Sequence, residues 1–143
     1  MSHTVKLKKY VDNVYEKVAN AAITPGHLLE LMSTNKVKVH ASLAGVVTSK
    51  MFALEDELQG KEIDDAYAAD DVVQVWNTVP GEIVNAILKD GETIVIGDSL
   101  ESGGDGTLQK YTAGTVVGIA EEALDLSGSS GEETTNRLAV KIV

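Results

Sequence analysis

Apolar residues in this chain fall in short runs, several of them alternating with polar residues at every second position, that break at glycine, proline or Asp-Gly. That period sends alternate side chains to opposite faces of an extended strand, and it leaves few stretches in which a helix could be continuous. In KVKVHA (36–41), Val37, Val39 and Ala41 alternate with Lys36, Lys38 and His40. The alternation predicts one buried face and one wet face, with His40 on the wet side. VVQVWNTV (72–79) is rich in β-branched residues around Trp76, and RLAVKIV (137–143) places Leu138, Val140 and Ile142 on one side. TVVGIAEEAL (115–124) is a further apolar run. EIVNAIL (82–88) and ETIVIG (92–97) flank Lys89-Asp90-Gly91, and Asp-Gly between two such runs predicts a hairpin.

Helical signals are few. SLAGVVTSKMFALEDEL (42–58) carries Gly, Thr and β-branched residues that disfavour a helix, so only a turn or two at MFALEDEL is expected. KKYVDNVYEKVANA (8–21) fits either period, and its Val and Tyr content favours a strand. The expected fold is therefore mainly β: a small β-barrel or β-sandwich-like domain with short helical turns. Three segments share one device. TPGHLLEL (24–31), VPGEIVNAIL (79–88) and VIGDSLES (95–102) each set a glycine-centred turn before an apolar segment, and glycine there permits positive φ. ESGGDGTLQ (101–109) and LSGSSGEETTN (126–136) have the composition of mobile loops.

Charge and cysteine content narrow the chemistry. The net charge of −10 argues against a nucleic-acid partner. No apolar run is long enough to span a membrane. The opening MSHTVKLKKY has lysines with no apolar stretch behind them, unlike a secretory signal. With no cysteine, disulfides and thiolate metal sites are excluded. Acids crowd residues 55–71, where only Lys61 opposes them, and the run reads as a solvated loop. It lacks the spacing of a calcium-binding EF-hand loop.

Gly97-Asp98-Ser99-Leu100 resembles the opening block of the GDSL esterases and lipases. Those enzymes take their general base from a histidine far downstream. Here His3, His27 and His40 all precede Ser99, so the serine has no such base and the motif reads as a turn in which Asp98 caps backbone N–H groups two residues on. His27 and Glu30 are spaced to share one side of a helical turn, but no third metal ligand is indicated. The turn pattern around 80–100 is also similar to lipoyl and biotinyl carrier domains, but Lys89 and Lys50 lack the flanking residues of a modified lysine. No catalytic residue, metal site or cofactor is expected, and the chain is not expected to be an enzyme.

Taken in order, ITPGHLLEL (23–31), FALEDELQGKEIDDAYAADDVVQVW (52–76), PGEIVNAILKDGETIVIGDSLES (80–102), GDGTLQKY (104–111), VVGIAEEALDLS (116–127) and RLAVKIV (137–143) resemble the decoration, or head-stabilising, proteins of tailed bacteriophages. The resemblance to these lambda-type cement proteins implies a β-rich domain over residues 12–143, often a homotrimer, behind an extended N-terminal arm at residues 1–11. It implies a protein made in the host cytoplasm and carried on the outer capsid surface of the virion, clamping neighbouring major capsid protein subunits. The arm would hold the contact residues Thr4, Val5, Lys6, Leu7 and Lys8, whose alternation suits pairing with a strand edge. A tail or baseplate subunit would show the same composition.

Overall fold

In the computed structural model of the chain, which describes residues 13–128 and 136–143, the alternating runs form twelve strands among the described residues. They are β1 (Val14–Ala19), β2 (Leu28–Leu31), β3 (Lys36–Val39), β4 (Met51–Ala53), β5 (Val72–Asn77) and β6 (Ile83–Ile87), then β7 (Thr93–Ile94), β8 (Ser99–Ser102), β9 (Leu108–Lys110), β10 (Gly118–Ala120), β11 (Leu124–Asp125) and β12 (Arg137–Ile142). One turn of 3-10 helix, Glu57–Gln59, follows β4. The fold is mainly β, as the period-two pattern requires, and the ambiguous segment around residue 14 is a strand.

The first five strands close into a barrel in the order β1-β3-β2-β4-β5. β5 returns antiparallel to β1, pairing Val14 with Trp76 and Val18 with Val72. A second sheet runs β6-β12-β10-β8-β9, and β7 pairs with β11. The Lys89 N–H donates to the Leu108 carbonyl at 2.9 Å, beside a parallel bridge between Leu88 and Leu108. The free edge of β9 is thereby tied back to the end of β6, and the second sheet curls almost closed.

Strand alternation divides the apolar side chains between two cores. Leu29, Met51, Ala53, Val73 and Val75 fill the barrel with Ala19, Ile23, Val37 and Tyr67. Their sequence neighbours Leu28 and Phe52, with the half-buried Trp76, point the other way into the core of the second sheet. There they meet Val84, Ala86, Leu100, Leu108, Leu138, Val140 and Ile142. Because the start of β2 and the whole of β4 bury both faces, Leu28-Leu29 and Met51-Phe52-Ala53 read as unbroken apolar runs. Arg137 strengthens the join. Its Nη2 donates to the carbonyls of Pro25 at 2.9 Å and Ile63 at 2.8 Å, and its Nη1 pairs with Asp64 at 2.8 Å.

The three glycine turns share one closure. Gly26, Gly81 and Gly97 have φ of 97°, 97° and 93°, as the third residue of a type II turn requires. In each turn the fourth side chain accepts the N–H of the first residue: His27 Nδ1 from Thr24 at 3.1 Å, Glu82 from Val79 at 2.7 Å, and Asp98 from Val95 at 3.0 Å. Asp98 thus reaches back three residues instead of capping N–H groups ahead of it. The same backward reach recurs in the acidic run, where Asp65 accepts the Glu62 N–H at 2.7 Å and Asp71 accepts the Ala68 N–H at 2.8 Å.

Several expectations are corrected. Lys89-Asp90-Gly91 is a turn but not a hairpin, because β6 pairs with β12 and β7 with β11. Only Thr93–Ile94 of the following run is a strand, and Val95 and Ile96 are exposed in the next turn. The glycine-rich segment 101–109 is not a loose loop. Glu101, Ser102, Thr107 and Leu108 are buried, and β8 pairs with β9 across it. Most of the 126–136 segment lies outside the described residues. Glu30 lies in β2 and His27 closes the turn ahead of it, so the two do not share a helical turn.

If the doubly buried wall joins the two cores, Phe52→Ala should cost about 3–5 kcal/mol, the usual range for a buried Phe. Urea unfolding should lose this in one cooperative transition seen equally by Trp76 fluorescence and far-UV circular dichroism. Two separated transitions would show that the cores unfold independently.

Candidate binding site

The cleft of interest lies beside the segment joining β3 to β4. Tyr15, Leu29, Leu31, Val46 and Met51 supply its apolar walls, with Glu30, His40 and Asn77 among its polar groups, around a volume of about 460 Å³. The Tyr15 hydroxyl donates to Met51 Sδ at 3.4 Å. One wall is formed by Val46, Thr48 and Ser49, at the end of the 42–46 segment, in which Leu43 and Val46 are 59% and 74% exposed.

That segment is held by its backbone while its apolar side chains face outward. The Ala44 N–H donates to the Ser102 carbonyl at 2.9 Å, and the Gly45 carbonyl accepts the Thr115 N–H at 3.2 Å. Thr115 Oγ1 accepts the Val47 N–H at 3.1 Å. Gly114 packs so closely on the Ala44 and Gly45 carbonyls that a Cβ there would collide with them. Ala44 itself has φ of 49°, a left-handed conformation that stores roughly 1–3 kcal/mol of strain in a residue with a Cβ.

The 112–115 stretch that clamps the segment is fixed by a carboxylate. Glu101 is fully buried on the face of β8 opposite Leu100. Its Oε1 accepts Gln109 Nε2 at 3.0 Å, the Thr112 N–H at 2.9 Å and the Thr112 hydroxyl at 2.6 Å. Its Oε2 accepts the N–H groups of Ala113 at 3.2 Å and Gly114 at 2.7 Å. Burial alone would raise this carboxyl; the donors from Thr112, Gln109, Gly114 and Ala113 outweigh it and hold the group down at about 2.

His40 lies on the other side of the same joint and is buried, not on the wet face. Pairing with Ser102 explains the departure from alternation: His40 Nδ1 is 2.9 Å from the Ser102 hydroxyl, and Nε2 is 3.7 Å from Glu30. Glu30 also pairs with Lys38 at 3.0 Å. Burial pushes the Glu30 carboxyl up, but the hydrogen bonds from Lys38 and the Ala41 N–H, with the Lys38 and His40 charges, bring it below its ordinary value. The Ser-His-Glu order resembles an acyl-transfer relay, but Ser102 is fully buried and already accepts the Gly104 N–H at 3.3 Å. It braces β8 against the barrel.

Ser99 is half-buried in β8, and its carbonyl accepts the Tyr111 N–H at 2.8 Å; the serine that meets a histidine is Ser102. Lys89 is not presented at a tip, since its Nζ donates to the Gly103 carbonyl at 2.9 Å. Among the described residues no group of His, Asp and Glu converges as a metal site would require, and no helix is long and apolar enough to cross a membrane. Thr4, Val5, Lys6, Leu7 and Lys8 lie outside the described residues. The cleft, the Glu101 network and the role of Ser102 are not visible in the sequence. The one available signal is the glycine at 114 beside small residues.

Replacing Glu101 by Gln keeps the volume but turns an acceptor-only group into one that donates toward backbone N–H groups. The loss should be about 2–4 kcal/mol at pH 7, given the usual cost of buried unsatisfied groups. A folded value of about 2 against 4.5 for the free carboxyl fixes the sign. The stabilisation is complete above about 4.5 and is lost as pH falls toward 2. Urea midpoints of the two proteins should therefore converge across that window.

No protein-family model matches the chain, and no curated protein matches it. Among solved structures, the chain is similar to the N base of the head fiber protein gp8.5 of bacteriophage phi29, at 17% identity and a TM-score of 0.61. The match covers 93% of this chain and 95% of that one. At that identity the likeness is one of fold, and it runs through both the barrel and the second sheet.

Proposed function

We propose that this chain is a bacteriophage structural protein carried on the outside of the capsid. It binds the mature shell and stabilises it by clamping neighbouring major capsid protein subunits, without catalysis. The observation that carries the reading is the fold shared almost end to end with the base of a phage head fiber. That neighbour is a fiber base and not a lambda-type decoration protein, so attachment to a head is the part of the reading it supports. Clamping rests on the sequence resemblance and on linkage: a protein that binds only the assembled lattice stabilises that lattice.

In this reading the arm, with Thr4, Val5, Lys6, Leu7 and Lys8, reaches the shell. Its lysines meet acidic groups and its backbone adds to a strand edge. A homotrimer multiplies such contacts, since three tethered arms bind with an avidity one arm lacks. Co-sedimentation with decoration-free expanded heads should show saturable binding. Removing residues 1–9 should weaken that binding without unfolding the domain, and binding should fall as salt rises above about 0.1 M if the lysines contribute, because exposed pairs are then screened. Absence of binding to heads, with binding to tails or baseplates, would move the protein to another part of the virion.

A further inference from the structure

We propose that the cleft walled by Tyr15, Leu31, Val46 and Met51 is the seat of the N-terminal segment of a second copy of this chain, with Val5 and Leu7 entering it. This uses the same arm as the functional reading above but requires no shell.

The geometry places the root of the arm at the cleft. The Asn77 N–H donates to the Asn13 carbonyl at 2.8 Å, and Asn77 and Tyr15 both line the cleft. The described chain therefore begins at the cleft's rim. Fully extended, the twelve residues ahead of it would reach about 40 Å, enough to pass from one copy to the next. The cleft suits a strand that is apolar on one face. Leu31 remains 52% exposed although it continues the barrel-facing side of Leu29, and Val46 is held toward solvent by the clamp on Ala44 and Gly45. Val5 and Leu7 alternate with Lys6 and Lys8, so seating the apolar pair leaves the lysines turned outward.

Charge favours another copy as the host. Residues 1–12 carry three lysines and one aspartate, a charge of +2, so within a total of −10 the rest of the chain carries −12. A basic arm and an acidic body attract. Exchange between copies satisfies every arm and every cleft when the ring closes.

The chain has no cysteine, so a pair can be introduced without background. Leu7→Cys and Val46→Cys together, under mild oxidation in the absence of heads, should give covalent multimers on a non-reducing gel. Leu7→Cys with Leu58→Cys serves as the collision control, because Leu58 is 78% exposed and outside the cleft. Light scattering should show the full chain as an oligomer, and Val46→Asp should shift it toward the monomer as deletion of residues 1–9 does. Intramolecular disulfide alone, no disulfide, or equal cross-linking in the control would each overturn the exchange. So would a monomeric full chain. None of these results alters whether the protein binds heads, which the sedimentation assay reads separately.

Discussion

Where Leu28-Leu29, Met51-Phe52-Ala53 and Val75-Trp76 cross it, the wall formed by β2, β4 and β5 packs on both sides, and the arrangement of the rest follows from that. A small barrel needs one apolar face per strand. Here Leu28, Phe52 and Trp76 supply a second, and the second sheet covers it. That shared wall fixes where β8 lies relative to the barrel, and so brings Ser102 to His40 and Gly106 to the barrel end, where its carbonyl accepts the Leu28 N–H at 2.7 Å. Removing a side chain from this wall opens a cavity on which both cores depend, which is why a single substitution is expected to be felt by the whole molecule.

A buried charge performs the next step. Most carboxylates inside a protein destabilise it unless every lone pair is engaged. Glu101 meets that condition with donors drawn from Gln109 on the neighbouring strand and from Thr112, Ala113 and Gly114 on the turn that covers it. The carboxylate thereby converts a short stretch of small residues, with little apolar surface of its own, into a rigid clamp. That clamp presses Gly114 onto Ala44 and keeps Ala44 in its left-handed conformation. Leu43 and Val46 stay exposed because the backbone beneath them is pinned, so their hydrophobic surface cannot collapse back onto the domain.

The strands and glycine turns are legible in the sequence because both are local. Period two marks a strand wherever one face is wet, and a proline or β-branched residue ahead of a glycine marks a type II turn. The larger failures are non-local. Lys89-Asp90-Gly91 carries the local signal of a hairpin, yet the strands on either side find better partners in β12 and β11. Glu101 and His40 look like surface residues in sequence; His40 becomes buried against Ser102, distant along the chain, and Glu101 by the following stretch from Gln109 to Gly114 folding back over it. The glycines at 103, 104 and 106 carry the local signal of looseness; Gly104 and Gly106 instead admit close approach by Leu43 and by His27 and Val39. The candidate cleft has no local signal, because its walls come from separated stretches of chain.

A single arm in a single cleft is a weak bond. Burying a Val and a Leu contributes roughly 3–6 kcal/mol, while joining two bodies costs roughly 4–15 kcal/mol. The cost matches or exceeds the gain, so one seat alone leaves copies in exchange. Closure of a ring changes the balance, since each copy then both gives and receives an arm, and release of one seat leaves it tethered by the other. The same arithmetic applies on a shell. A closed ring assembled in this way would meet a shell with several contacts at once, and the lysine face left outward by the seated valine and leucine is the face the shell would meet.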